Sequence, residues 1–137
     1  MNRHDFRRLA ELRVRDAEVL LAGRRWAAAY YLCGYAVECA LKACIAKQTR
    51  RSEFPDRERV KDSYTHDFRE LVRLANIRND LATELADQRF AQNWTLLRDW
   101  SERRRYDHGI TRMQAQDLYD AITDNTDGVL TWLKNFW

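Results

Sequence analysis

Residues 24–47, RRWAAAYYLCGYAVECALKACIAK, decide the fold. Trp26, Tyr30, Cys33, Val37, Ala40 and Cys44 recur every three or four positions, a spacing that stacks them into one apolar stripe along an α-helix. A second row, Tyr31, Tyr35, Glu38 and Lys42, runs at i, i+4, i+7 and i+11, and Glu38 precedes Lys42 at the favourable i, i+4 spacing. An acid and a base half buried on a tyrosine-lined face need partners. The plainer reading makes Tyr31 and Tyr35 interface packing and Glu38–Lys42 a surface pair worth ~0.2–0.5 kcal/mol. The small residues Ala27, Ala28, Ala29, Gly34, Ala36, Ala40 and Ala43 admit a closely packed second helix, in a tight hairpin or a dimer.

Working outward, Asp5 to Leu21 repeats Phe6, Leu9, Leu12, Ala17, Leu20 and Leu21 among charges, and Gly23 offers a stop. This helix and the central one are expected to form an antiparallel hairpin. After Lys47 the periodicity dissolves into QTRRSEFPDRERVKDSYTH, where Ser52, Pro55 and a run of charges predict a long exposed connection. Asp67 followed by Glu70 starts a short helix over Phe68, Leu71, Val72 and Leu74. A further helical pattern spans Leu81 to Trp100 through Leu85, Phe90, Trp94 and Leu97, with a break near 86–88. SERRRYDHGIT is aperiodic. From Thr111 to Trp137 the helix signal resumes through Met113, Leu118, Ile122, Val129, Leu130, Trp132 and Leu133, with a bend at DNTDG. The expectation is a single all-α domain over 1–137, a compact bundle of five or six helices around a long central hairpin.

Composition narrows the function. A chain of 137 residues builds one core that buries about two thirds of its unfolded surface. With 33% charged residues, one Pro and four Gly, helices are favoured over sheets. A net charge of +3 is a weak excess for a protein devoted to phosphate binding, but all except four of its 24 basic side chains are arginine, which suits bidentate contact with phosphate or carboxylate. Cys33, Cys39 and Cys44 lie at neither CxxC nor helical metal-pair spacing and read as core residues. With no signal peptide at MNRHDFRRLA and no apolar run of membrane-spanning length, a reduced, cytoplasmic protein away from the membrane is expected.

There is no glycine-rich phosphate loop, and His4, His66 and His108 have no His or Cys partner at ligand spacing, so no metal and no cofactor is expected. The chemistry concentrates in WSERRRYDH, residues 100–108, with three guanidiniums, a phenol, a carboxylate and a histidine. Arginine stabilises charge on a phosphoryl oxygen, and histidine moves a proton to or from a ribose hydroxyl. Together they suffice for metal-free RNA cleavage, with the 2′-hydroxyl attacking the neighbouring phosphate. Arg103 and His108 have a spacing that suits this pair, but Arg59 and His66 have it too, and in an arginine-rich chain such spacing arises easily by chance. His66, beside Asp67 at a helix start, reads as a structural residue.

Four stretches in order, GYAVECALKA, YTHDFRELV, NWTLLRDWSERRRY and GVLTWLKNFW, make the chain from about Leu20 to Trp137 resemble the prokaryotic HEPN domain family, of the type associated with minimal nucleotidyltransferases. The resemblance implies a small all-α bundle, usually a homodimer, often paired with a minimal nucleotidyltransferase as toxin and antitoxin, and in many members a metal-independent endoribonuclease. It implies an Arg and a His four to six residues apart as the catalytic pair, here Arg103 and His108, brought together across the dimer. It also implies an acidic or polar residue on the second helix with a basic residue four positions later, here Glu38 and Lys42. Arg105, Tyr106 and Lys42 are then the phosphate or nucleotide contacts, and Glu38 and Tyr35 orient the site. The chain departs from the family's fuller motif at Ile110, where that motif has a tyrosine two residues after the histidine. Three functions remain open: an RNA-cutting dimer, a non-catalytic subunit binding a nucleotide or a nucleotidyltransferase, and a purely structural adaptor.

Overall fold

A computed structural model describes residues 1–50, 65–100 and 109–137. Within these residues the chain is all-α, with α1 Arg3–Ala22, α2 Trp26–Arg50, α3 Phe68–Leu74, α4 Arg78–Glu84, α5 Gln88–Arg98, α6 Arg112–Thr123 and α7 Val129–Leu133. The count exceeds the five or six expected because two helical patterns are each cut once. Asp87 cuts the first, its carboxylate accepting the Arg89 and Phe90 N–H groups at 2.9 and 3.0 Å as the N-cap of α5. Asp124 cuts the second, accepting the Thr126 and Asp127 N–H groups at 3.1 and 2.6 Å across the turn into α7. Gly128 ends that turn because no side chain fits there: a Cβ would lie 2.4 Å from the Asp124 carbonyl oxygen.

The α1–α2 hairpin forms as expected and is the most extensive helix pair. The start of α1 lies earlier than the apolar period predicts. Asn2 and Asp5 form a reciprocal capping box, the Asn2 side chain accepting the Asp5 N–H at 2.9 Å and Asp5 accepting the Asn2 N–H at 3.0 Å. The inward line of α1 runs through Ala10 and Ala17, both fully buried, with Phe6, Val14 and Leu21 packed beside them. Leu12, expected on that face, is 37% exposed, because it falls off the line that Ala10, Val14 and Ala17 define. On α2 the alanines at 29, 36, 40 and 43 are all fully buried, and small side chains buried on both helices suit close packing of the hairpin.

Helix α2 is the axis of the fold, touching α1, α3, α6 and α7. Its predicted stripe is buried from Tyr30 through Cys33, Val37 and Ala40 to Cys44, while Trp26 is half-buried. The helix continues to Arg50, past the Lys47 limit read from its periodicity. An aromatic cluster closes the far side of the bundle. Phe90 meets Trp132 edge-on at 5.3 Å, and Trp132 meets Phe136 at 5.2 Å, each such pair adding about 0.5–1.5 kcal/mol beyond its burial. Trp137 is itself buried, its carbonyl accepts a hydrogen bond from Arg3, and Arg7 lies 5.1 Å over its ring. No helix among the described residues is long and apolar enough to cross a membrane.

Candidate functional site

The second row of α2 behaves differently from the stripe beside it. Tyr31, Tyr35 and Lys42 are only half-buried, whereas Glu38 is 1% exposed. A carboxylate taken that far from water needs compensation. Two cation-capable groups supply it, both on Glu38 Oε1: the Lys42 ammonium at 3.3 Å, one turn further along the helix, and Nδ1 of His66. Carboxylate oxygens only accept, so His66 Nδ1 carries the proton in this bond, which sets the tautomer and the ring plane and leaves the ring's further chemistry to Nε2.

His66 reaches Glu38 because of how α3 begins. The Asp67 carboxylate accepts the Arg69 N–H at 2.9 Å as N-cap, and Thr65 Oγ1 accepts the Asp67 N–H at 3.1 Å. These bonds hold the three residues ahead of α3 in place, with Phe68 buried just after them. The cap is therefore Asp67, and His66 is a side-chain partner of α2 rather than the helix-start residue it resembles in the sequence.

Trp100 covers the neighbouring part of the row. It is 4% exposed and lies 5.8 Å from Tyr31 and 5.3 Å from Phe68, while Tyr31 in turn stacks on Tyr35 at 6.2 Å and an interplanar angle of 3°. Its indole rests directly on Gly34: a Cβ there would sit 2.0 Å from Trp100 Cε2. Glycine inside a helix costs about 1 kcal/mol relative to alanine, and here that cost admits the indole. The indole Nε1 is buried and has no hydrogen-bond partner among the described residues.

The phenol of Tyr35 is pushed up to about 12, first by burial and then by its contact with Cys39 and the charge of Glu38, so it remains a neutral donor. Burial likewise raises the Cys39 thiol to about 11, against the opposing hydrogen bond from Tyr35. The three cysteines are free and buried, as core residues. No group of three His, Cys, Asp or Glu side chains among the described residues is placed to hold a metal.

Of the residues expected at a site, Glu38, Lys42 and Tyr35 come together on this face. Arg103, Arg105, Tyr106 and His108 lie outside the described residues, as does Arg59. The first four follow Trp100 in sequence, and the described chain resumes at Gly109, just before Ile110, which is 6% exposed. Sequence reasoning read His66 as a helix-start residue, Gly34 as a close-approach position and Trp100 only as the start of the basic segment, and did not bring them together on this face. Glu38 signalled that a buried acid with one lysine needs a second partner, but not which residue supplies it.

The fold and this face define a class: a small helical bundle whose long second helix carries a buried acid bridged to a lysine and a histidine. The chain belongs to the HEPN domain family, whose family model matches residues 4–136. Comparison with curated proteins and with solved structures gives no match.

Proposed function

We propose that this HEPN protein is a metal-independent endoribonuclease, acting as a homodimer and serving as the toxin of a toxin–antitoxin or defence pair. The observation that carries the reading is the buried Glu38 carboxylate, bridged to Lys42 and His66 on a face that Trp100, the residue preceding the Arg103–His108 stretch in sequence, partly covers. A bundle that needed only stability would gain more from an apolar residue at such a position. In this reading His108 moves the proton of the 2′-hydroxyl or of the leaving oxygen, and Arg103 stabilises the crowded phosphoryl group. Arg105, Tyr106 and Lys42 contact phosphate or nucleotide, and Glu38 and Tyr35 orient the site, with His66 joining them as the ring that Glu38 holds. The half-buried Tyr31–Tyr35 row supports a two-fold contact along α2, with a minimal nucleotidyltransferase as the antitoxin partner.

The test is cleavage of end-labelled RNA by purified protein in excess EDTA, with wild type beside His108→Ala and Arg103→Ala. Cutting by wild type alone, leaving cyclic phosphate ends, is expected. Equal cutting by all three proteins, or none by any, rejects the catalytic reading. One observation favours a second reading, a non-catalytic subunit that binds a nucleotide or the nucleotidyltransferase: Ile110, standing where the fuller motif has tyrosine, is buried in the core. That reading expects co-purification with the partner and its loss on Tyr35→Ala, without RNA cleavage.

A further inference from the structure

Near the start of α2, twelve residues and roughly 18 Å along the helix from Glu38, lies an open cavity of about 720 Å³. Four elements contribute to it: Glu18 from α1, Arg24 from the turn, Trp26 from the start of α2, and Arg112, Gln116 and Tyr119 from α6. Both arginines are exposed and both aromatic side chains are half-buried. The Arg112 guanidinium lies 5.9 Å from the centre of the Trp26 ring, so charge and aromatic surface already adjoin.

Arg24 has a backbone that points to a role beyond folding. Its φ is 60°, in the left-handed region that disfavours any residue with a Cβ, while the adjacent Gly23 occupies an ordinary φ of −84°. A turn selected only for stability would place glycine at 24. The guanidinium is held at the cavity against the backbone preference.

The chemistry is that of nucleotide recognition. Two guanidinium forks match phosphate oxygens, and the flat faces of Trp26 and Tyr119 match a base. The Glu18 carboxylate accepts from a base amino group, and the Gln116 amide both donates and accepts along a base edge. The volume falls within the range of small-molecule sites. An acidic peptide would leave the aromatic faces unused and would meet the charge of Glu18.

We propose that this cavity is a second binding site, for a nucleoside phosphate taken either as a free mononucleotide or as one unit of a single-stranded RNA. The site is separate from the Glu38 face, and the proposal does not depend on cleavage. It is tested by calorimetric titration of the full chain with GMP, AMP, UMP and inorganic phosphate, alongside fluorescence polarisation of a labelled, unstructured oligoribonucleotide. Calorimetry is run in EDTA on wild type, Arg24→Gly and Arg112→Gln, and polarisation on His108→Ala and on the same two substitutions made in that background, so that the labelled RNA stays intact. Arg24→Gly should weaken binding about ten- to a hundredfold, the loss of a charge-assisted contact. Its melting temperature should be no lower than that of wild type, because glycine suits the backbone better. Arg112→Gln should weaken binding in the same direction.

A response in the mononucleotide arm assigns the site to a free nucleotide, and a response in the oligonucleotide arm alone assigns it to an RNA strand. Three results overturn the proposal: no binding in either arm, binding indifferent to both arginine variants, or displacement of GMP by inorganic phosphate at equal concentration, which would deny the base any part.

Discussion

Gly34→Ala is the sharpest probe of the site, because helix propensity and tertiary packing demand opposite signs. In an exposed helix the change would stabilise by about 1 kcal/mol. Here the new methyl would lie 2.0 Å from Trp100 Cε2, far inside contact distance, and the indole is held by Tyr31 at 5.8 Å and Phe68 at 5.3 Å. If the cluster yields in place, overpacking costs about 1–3 kcal/mol. If Trp100 is expelled, burial of roughly 200 Å² is lost, or about 5 kcal/mol at 25 cal/mol/Å². Offset by the propensity gain, the net loss runs from about zero to 2 kcal/mol if the cluster yields to about 4 kcal/mol if Trp100 is expelled, which for a chain of this size lowers Tm by up to about 15 °C. Urea and thermal unfolding should be run on Gly34→Ala, Trp100→Ala and the double variant. In the Trp100→Ala background the same substitution should stabilise by about 1 kcal/mol, a reversal of sign that only direct contact produces. An alanine at 34 that raises Tm with Trp100 present would refute the reasoning.

Three other outcomes can be checked with the same protein. Glu38→Ala removes a carboxylate shared by two partners that keep some access to water, with side chains 17% and 45% exposed, so the cost should fall below the roughly 3–5 kcal/mol of a fully buried pair, at about 2 kcal/mol in urea unfolding; a change under about 0.5 kcal/mol would show that the bridge does not matter to the fold. Burial pushes the Cys33, Cys39 and Cys44 thiols up to about 12, 11 and 12, so iodoacetamide at pH 8 should leave the folded protein unmodified and label all three in urea, and rapid labelling without urea would contradict their burial. The N–H groups of Asp127 and then Thr126 hold the Asp124 carboxyl below its ordinary 3.8; a depressed acid stabilises above its unfolded value and loses that contribution as pH falls through the folded one. Asp124→Asn should therefore melt lower than wild type at pH 7, with the gap shrinking as the pH drops below 3.8, and a gap independent of pH would remove the charge from the account.

What was legible in the sequence was whatever depends on a helix and its immediate neighbours. The stripe from Tyr30 to Cys44, the break at Asp87 and the bend at Asp124 are local patterns of period or capping, and each stands where its residues predict. The start of α1 escaped because an Asn-x-x-Asp capping box is a less familiar form than the Ser or Thr version. Leu12 was misassigned because leucine looks like core wherever it falls, and only the partner helix settles the phase. On the site, Glu38 with Lys42 was readable from one turn of helix. His66 was not, because it comes from 28 positions away, brought in by the caps at the start of α3. Gly34 looked like a means of close helix approach, and its occupant proved to be an indole from just past the end of α5. Arg24 also departs from local expectation: the glycine beside it should have taken the left-handed place.

The bond from Arg3 to the carbonyl of Trp137 joins positions 134 apart in sequence. Seen from a ribosome, this sets an order of events. The α1–α2 hairpin is built from neighbours in sequence and can collapse as soon as both helices emerge, whereas contacts of such long separation come last. Until Trp137 is delivered, the beginning of α1 lacks its seat, and the nascent hairpin waits with one end open. A quality-control protease thereby has a window on the hairpin that closes only when Trp137 docks.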